Sequence, residues 1–400
     1  MWGSTATKKP FRWLVVVGAV SALALASCGG DDSSSSSNGE FSKVVKPPKL
    51  SVASPPDKAT DVLTSTELQF TSQGQVKDVK VVDAQGQPVA GGFTGSDGKW
   101  LPSQQLAYGA TYTVTAKATR KGKTSETKST FSTMSEPTKV FGADINVEQD
   151  ETVGVGLPLV VEFVEPVADE KRAEVERRLF ISANPSTEGS WHWFSDSQVR
   201  WRPKEHWKPG TKVDFRLAIG GMDLGNGYYG KRDRVGQFTI GSEIISTIDN
   251  SSKTMTVTQD GVELRSFPIS LGKPKFPTSS GTHVVIEKRR NITMDSSTYG
   301  LPVDSPDGYR TEVEFAVRYT WQGEFVHSAP WSVADQGVTN VSHGCVNAAP
   351  ENASWYFELA QKGDLVTISG TEVDVDAGNG WGDWNIPWEE YKKGSALYAG

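Results

Sequence analysis

His327-Ser328-Ala329-Pro330-Trp331 and, after a loop, Ser342-His343-Gly344-Cys345-Val346-Asn347 form the stretch on which the reading of this 400-residue chain turns. The chain has two cysteines and five histidines, and one cysteine and two histidines fall here. A thiol with imidazoles close by suggests a nucleophile and its base, because a thiol is a poor nucleophile until it is ionised. Val313, Phe315, Val317, Tyr319 and Trp321 alternate as a half-buried strand does. Gln322-Gly323 then turns the chain and Phe325-Val326 returns it, which places His327 at the end of a rigid strand. His343 is two residues from Cys345 across Gly344, where side chains in a tight loop diverge. His327 is therefore the expected base and His343 a support. Ser328, or a nearby backbone carbonyl, could hold the imidazole tautomer. Gly344 lets the backbone fold so that amides near Cys345 turn inward as half of an oxyanion hole, which a tyrosine hydroxyl could complete.

Outward from this stretch, the third domain starts near Ser242. Ile245 to Ile248 and Met255 to Val257 are strand-like, and Asp260-Gly261 is a hairpin turn into Val262 to Ile269. Thr282 to Ile286 is another strand, with His283 on its polar side. Pro350 suits a first helical position, Trp355, Leu359 and Ala360 share a face, and Gly363 stops that helix. Leu365 to Ile368 follows as a strand. The tail carries Trp381, Trp384 and Trp388 among glycines, and exposed tryptophans are costly, so they are expected to pack on the preceding domain.

Upstream, Trp100, Pro102, Leu106, Gly109, Tyr112, Val114 and Ala116 are echoed 101 positions later by Trp201, Pro203, Trp207, Gly210, Val213, Phe215 and Leu217. A period near that length, short alternating strands and frequent Gly, Pro and Asp turns fit two immunoglobulin-like sandwiches. Only Glu170 to Phe180 breaks the pattern, with a helical segment. Trp191-His192-Trp193 and His206 read as packing residues. Asp223-Leu224-Gly225-Asn226-Gly227 offers oxygen ligands and glycines but too few carboxylates for a strong calcium loop, so a turn is expected.

At the start, Lys8, Lys9 and Arg12 precede an apolar run from Trp13 to Ala26, too short to span a membrane, which reads as a secretory signal. Leu25-Ala26-Ser27-Cys28 resembles a lipobox, implying cleavage before Cys28 and a lipid on it. Loss of the signal removes three positive charges from a chain whose formal charge is already -7. An acidic chain without a basic block argues against nucleic acid as a partner. With Cys28 lipidated, Cys345 has no partner for a disulfide, and an unpaired thiol outside the cell is expected to be kept for its reactivity.

Taken with its flanks, Met294 to Gly300, Gly308-Tyr309-Arg310-Thr311 and Gly382-Asp383-Trp384-Asn385-Ile386-Pro387-Trp388, the His/Cys stretch resembles the YkuD-type L,D-transpeptidases. The whole arrangement resembles their multidomain actinobacterial lipoprotein form. The expected fold is mainly β: signal peptide 1–27, lipidated Cys28 and tether to 47, immunoglobulin-like domains 48–138 and 139–242, a β-rich catalytic domain 243–370 with a short helix, and a Trp-rich tail 371–400 on the second sandwich.

The resemblance implies an exported enzyme, lipid-anchored to the outer face of the cytoplasmic membrane, that remodels peptidoglycan. Cys345 would take the diaminopimelate carbonyl of a donor tetrapeptide stem, expel D-alanine, and pass the acyl group to a diaminopimelate side-chain amine, joining third residue to third residue. His327 would be base and then acid. Tyr309 would serve the oxyanion or substrate carbonyl; Gln322, Gly323 and Asn347 would contact the stem; Met294 and Trp331 would line the entrance. Acylation by carbapenems is also implied. No cofactor is required. The family's calcium loop would fall on Asp223, Asn226 and Gly227, with Asn226 where a carboxylate is expected. Three rivals remain open: L,D-carboxypeptidase activity with water as acceptor, a non-catalytic wall-binding lipoprotein, and a zinc site on His327, His343 and Cys345, which lacks a fourth ligand at motif spacing.

Overall fold

The structure is a computed structural model that describes residues 45–94 and 98–399. The expected signal, Cys28 and most of the tether lie outside the described residues. No helix among the described residues is long and apolar enough to cross a membrane.

Two sandwiches come first. In the first, a five-stranded sheet runs in the order Ala59–Val62, Lys123–Thr133, Thr111–Arg120, Gln75–Asp83, Pro88–Val89. It packs on two short strand pairs, with Leu68, Trp100, Tyr112, Val114 and Phe131 between the layers. The second sandwich has two four-stranded sheets. Their inner faces meet over Val161, Phe163, Val199, Trp201, Val213, Phe215 and Phe238. One device recurs in both: Gly91 pairs with Pro102 and Gly189 with Pro203, each on the strand beside a buried tryptophan. A Cβ at Gly91 would lie 2.3 Å from the Trp100 ring, and one at Gly189 would lie 2.0 Å from that of Trp201. Glycine is needed there because each indole lies across the neighbouring strand. The helical segment is shorter than expected, Asp169–Glu176. Phe180 belongs instead to the strand Leu179–Asn184, held by six register pairs to Lys212–Leu217.

The catalytic domain is built on a ten-stranded sheet. Its order is Glu287–Asp295, Arg310–Arg318, Phe325–Ser328, Val346–Ala348, Val262–Ser270, Thr254–Gln259, Ile244–Asp249, Leu365–Ser369, Ser279–Val284, Val373–Asp374. The helix Pro350–Leu359 covers one face, burying Ala353 and Tyr356 more fully than the expected Trp355 and Leu359. His283, expected on a polar side, is buried: its Nε2 lies 2.9 Å from the Ser279 carbonyl, and burial lowers its pKa to about 4.

Alternation along Arg310–Arg318 is interrupted. Phe315 has a left-handed φ of +56°, and the face changes there. Val313 and Ala316 pack with Cys345, whereas Phe315, Val317 and Tyr319 pack in the core beneath the helix. Val313 and Ala316, three residues apart, thus share one face, which strict period-two alternation does not allow.

The second sandwich and the catalytic domain share a core, since Val284, Ile286, Leu365 and Trp381 continue that of the sandwich. Their backbones also bond directly. Gly154 N–H donates to Lys362 O and Gly156 N–H to Gly363 O, each at 2.8 Å. Asp364 is fully buried in this junction; its Oδ2 accepts from Gln361 N at 2.8 Å and its Oδ1 has no hydrogen-bond partner among the described residues. Burial pushes its carboxyl up to about 7.

The tail lies on the strands Gly189–Trp193 and Gln198–Pro203. Arg200 Nη1 donates to Asp383 Oδ2 at 3.0 Å, and the Tyr391 hydroxyl donates to Asp383 Oδ1 at 2.9 Å. The Arg202 guanidinium lies 4.7 Å from the Trp384 ring, 5.2 Å from Trp388 and 4.3 Å from Tyr391. His192 Nδ1 lies 2.7 Å from the Tyr391 carbonyl, and His206 meets Trp384 edge-on at 4.4 Å. The aromatic strand is therefore a packing surface for the tail. Trp381 also touches the catalytic domain, edge-on to Trp321 at 6.0 Å.

Candidate active site

Phe325–Ser328 and Val346–Ala348 run side by side and parallel, with Val326 opposite Val346 and His327 opposite Asn347. Cys345 immediately precedes the second strand. Side chains alternate along a strand, so His327, Cys345 and Asn347 project from the same face. They line one cavity of about 210 Å³, together with Met294, Tyr309 and Trp331.

The imidazole is fixed at its far side. His327 Nδ1 lies 2.8 Å from the backbone carbonyl of Ser328. A carbonyl can only accept, so Nδ1 carries the proton and Nε2 is left as the basic nitrogen. Of the two orienting groups left open by the sequence, it is thus the main chain of Ser328 that serves. Burial lowers the imidazole pKa to about 4, and the Ser328 bond works against that shift only in part. The Cys345 thiol is also buried, and burial pushes it up to about 12, with the Glu324 charge adding to the effect and a main-chain bond from Phe325 opposing it. The resting pair is therefore a neutral thiol beside a neutral imidazole. An imidazole that lowers the thiol pKa, the expectation from sequence, is not what this site holds: low polarity disfavours both ions.

The loop before Cys345 is held from within. Ser342 Oγ donates to Cys345 O at 2.6 Å and accepts from Gly344 N at 3.1 Å, while Thr278 Oγ1 donates to Gly344 O at 2.7 Å. Gly344 has φ +118°, where a side chain would be strained. Its amide, however, is turned to Ser342, so it is not the inward-facing donor expected. The His343 ring lies 4.9 Å from those of both Phe276 and Tyr309, and its buried Nε2 has no hydrogen-bond partner among the described residues.

A second, larger cavity of about 830 Å³ adjoins the first. Met294, Tyr309 and His343 border both. Gly323 and Gln322 lie on the larger one. The thiol points toward Gly323 O at 3.7 Å, and Gln322 N is held by Asn379 of the tail at 3.0 Å. Asn347 Nδ2 donates to Ser332 Oγ at 3.0 Å, which directs its side chain along the smaller cavity. Trp331 stands exposed at the rim, its ring 6.0 Å from that of His327.

The structure therefore gathers Cys345, His327, His343, Tyr309, Gly344, Gln322, Gly323, Asn347, Met294 and Trp331 around two adjoining cavities. Glu324, Ser279, Ser342 and Thr278 also shape the site. Sequence reasoning passed over Glu324, Ser279 and Thr278 because each acts across contacts of distant segments, whereas Ser342 acts within its own loop.

The loop from Asp223 is a hairpin turn. Asn226 and Gly227 both have left-handed φ, and Asp223 is held by Lys171 Nζ at 2.6 Å and by Gly225 N at 3.0 Å. Among the described residues there is no group of three or more His, Cys, Asp or Glu that could hold a metal.

A thiol–imidazole site on two parallel strands of a mixed sheet, following two immunoglobulin-like sandwiches, defines the class, and comparison with known proteins identifies the family. Residues 243–368 match the L,D-transpeptidase catalytic domain and residues 59–223 a bacterial Ig domain. L,D-transpeptidase 2 of Mycobacterium tuberculosis is 41% identical over 354 residues, covering 87% of this chain and 85% of that protein. L,D-transpeptidase 5 of the same organism is 31% identical over 354 residues, covering 86% of this chain and 76% of the relative. A solved structure of LD transpeptidase LdtMt1 in complex with imipenem superimposes with a TM-score of 0.50 at 40% identity, covering 57% of this chain and 99% of that one. The chain belongs to the YkuD-type L,D-transpeptidases.

Proposed function

We propose that the chain forms 3→3 cross-links in peptidoglycan through an acyl-enzyme on Cys345. The observation that carries this reading is the placement of Cys345 and His327 on one face of two parallel strands, lining a shared cavity. Because thiol and imidazole rest neutral, the proton leaves sulfur only as the donor carbonyl is attacked, with Nε2 of His327 as base. The Sγ–C bond forms, the bond to D-alanine breaks, and the proton passes to the departing amine. In the second step the acceptor nitrogen bonds to the acyl carbon, the S–C bond breaks, and a proton returns by way of His327 to sulfur.

His343, whose Nε2 has no protein partner, and Tyr309 border the space where the carbonyl oxygen develops charge. Gln322, Gly323 and Asn347 line the path of the stem. The chemistry needs no cofactor. Inhibition by carbapenems follows from the same acylation, and lipidation of Cys28 would hold the enzyme on the outer membrane face, within reach of the wall. Intact-mass measurement after incubation with a disaccharide-tetrapeptide tests the reading. A thioester adduct, and a dimeric muropeptide once acceptor is present, are expected; absence of any adduct on Cys345 would overturn it.

A further inference from the structure

Glu324 is a carboxylate without a counter-ion beside the nucleophile. It is half-buried and lines the larger cavity. Two donors from one residue hold it in place: Ser279 N–H to Oε1 at 2.9 Å and Ser279 Oγ to Oε2 at 2.6 Å. Burial pushes the Glu324 carboxyl up, and one Ser279 donor on each oxygen works against that shift by favouring the ionised form. Among the described residues no lysine or arginine pairs with it. Arg318, which borders the same cavity, is engaged by Glu287 at 3.3 Å and by the carbonyls of Thr320 at 2.8 Å and Trp321 at 2.6 Å.

The position is as informative as the missing partner. Glu324 follows Gly323, whose carbonyl faces the Cys345 sulfur at 3.7 Å. A Cβ on Gly344, the residue before Cys345, would lie 3.7 Å from Glu324 Cγ and Oε1. The carboxylate therefore lies against the backbone of the residue before Cys345, just ahead of the strand that carries His327. It raises the thiol pKa and so opposes the first half of the reaction. A partly buried, uncompensated charge in a cleft that works against the nucleophile implies a visiting cation.

We propose that Glu324 is the group that recognises the acceptor amine, drawing it in as its ammonium form to the face of the acyl-enzyme. This deepens the acyl-transfer reading above and rests on it. The cation is assigned to the acceptor because the attacking nitrogen must arrive at the acyl carbon, whereas the D-alanine nitrogen enters as a neutral amide and leaves. A donor's own side-chain ammonium stands several bonds away from that carbon. Glu324 forms and breaks no covalent bond. The ammonium loses its proton to water or His327 before attack, and Ser279 keeps the carboxylate aimed at the cavity.

The test uses the full chain, wild type, Glu324→Gln and Ser279→Ala, with a tetrapeptide donor and two nucleophiles. One is a primary alkylamine, cationic at neutral pH; the other is hydroxylamine, which is mostly uncharged there. Adduct formation is followed by intact mass and product partition by chromatography. In Glu324→Gln the adduct should form at least as fast as in wild type, because removal of the charge eases ionisation of the thiol. The acceptor KM for the alkylamine should rise about tenfold, and its advantage over hydroxylamine should fall by a similar factor. Ser279→Ala should shift both in the same direction by a smaller factor. An unchanged alkylamine-to-hydroxylamine ratio in both variants, with adduct still forming, overturns the role of Glu324. Loss of adduct in the wild-type protein overturns the acyl-transfer reading instead.

Discussion

His327 turns Nδ1 onto the main-chain carbonyl of Ser328, the next residue along the strand, at 2.8 Å. In many nucleophile sites a carboxylate occupies that place, and the difference is physical. A carbonyl fixes the tautomer without a charge to stabilise an imidazolium, so the base stays weakly basic inside a buried site.

Because the main chain accepts this bond, Ser328→Ala should leave adduct formation with a carbapenem within about threefold of wild type. His327→Gln should lower it by about 10²–10⁴, the span of a lost general base. Stopped-flow acylation decides between them. A loss of similar size in both would show that the serine hydroxyl carries the orientation.

The pH profile carries the same signature. In the proposed mechanism the neutral imidazole is the working form, and burial places its pKa at about 4. Lowering the pH therefore should not remove the base until it nears that value. The acylation rate constant is expected to stay level between pH 5.5 and 8, whereas an imidazole of ordinary pKa 6.5 would leave it about tenfold lower at pH 5.5. Rates measured across that range are the check.

Asp364 should make the joint between sandwich and catalytic domain sensitive to alkali. Its folded pKa of about 7 lies above the ordinary aspartate value of 3.8, so folding takes up a proton between those limits. The stability this gives is complete below pH 3.8 and lost as pH rises through 7. Asp364→Asn should therefore stabilise the protein more at pH 8 than at pH 5, by roughly 2–4 kcal/mol at the higher pH. Thermal melts at the two values would show it; an equal shift at both would contradict the assignment.

In the tail, Asp383 is fully buried between Arg200 and Tyr391. Asp383→Ala strands the Arg200 guanidinium and should cost about 3–5 kcal/mol. Tyr391→Phe removes one hydrogen bond and should cost about 1–2 kcal/mol. Urea midpoints should order the variants that way, and a reversed order would place the anchor of the tail elsewhere.

Much of this architecture was legible in residue order. The echo of Trp100, Pro102 and Leu106 in Trp201, Pro203 and Trp207 marks two copies of one sandwich, because the core of a sandwich depends on local alternation and turns. The turn at Asp260-Gly261 and the helix start at Pro350 are equally local, and left-handed φ at Asp260 and Gly261 fits the hairpin. The expected alternation through Phe315 failed where a single left-handed residue brings Val313 and Ala316 to one face, a choice made by packing from both sides. The end of the helix before Phe180 was likewise set by pairing with Lys212–Leu217, some 30 residues further on.

The same division runs through the site. Residue order alone singled out Cys345 and His327, since a lone thiol, an imidazole at a strand end and the Ser342 to Asn347 loop are carried by adjacent residues. The protonation of that pair, the turn of the Gly344 amide away from the site onto Ser342, and the charge of Glu324 under Ser279 were decided only by the fold. Burial and long-range hydrogen bonds set these properties, and both depend on which distant strands become neighbours.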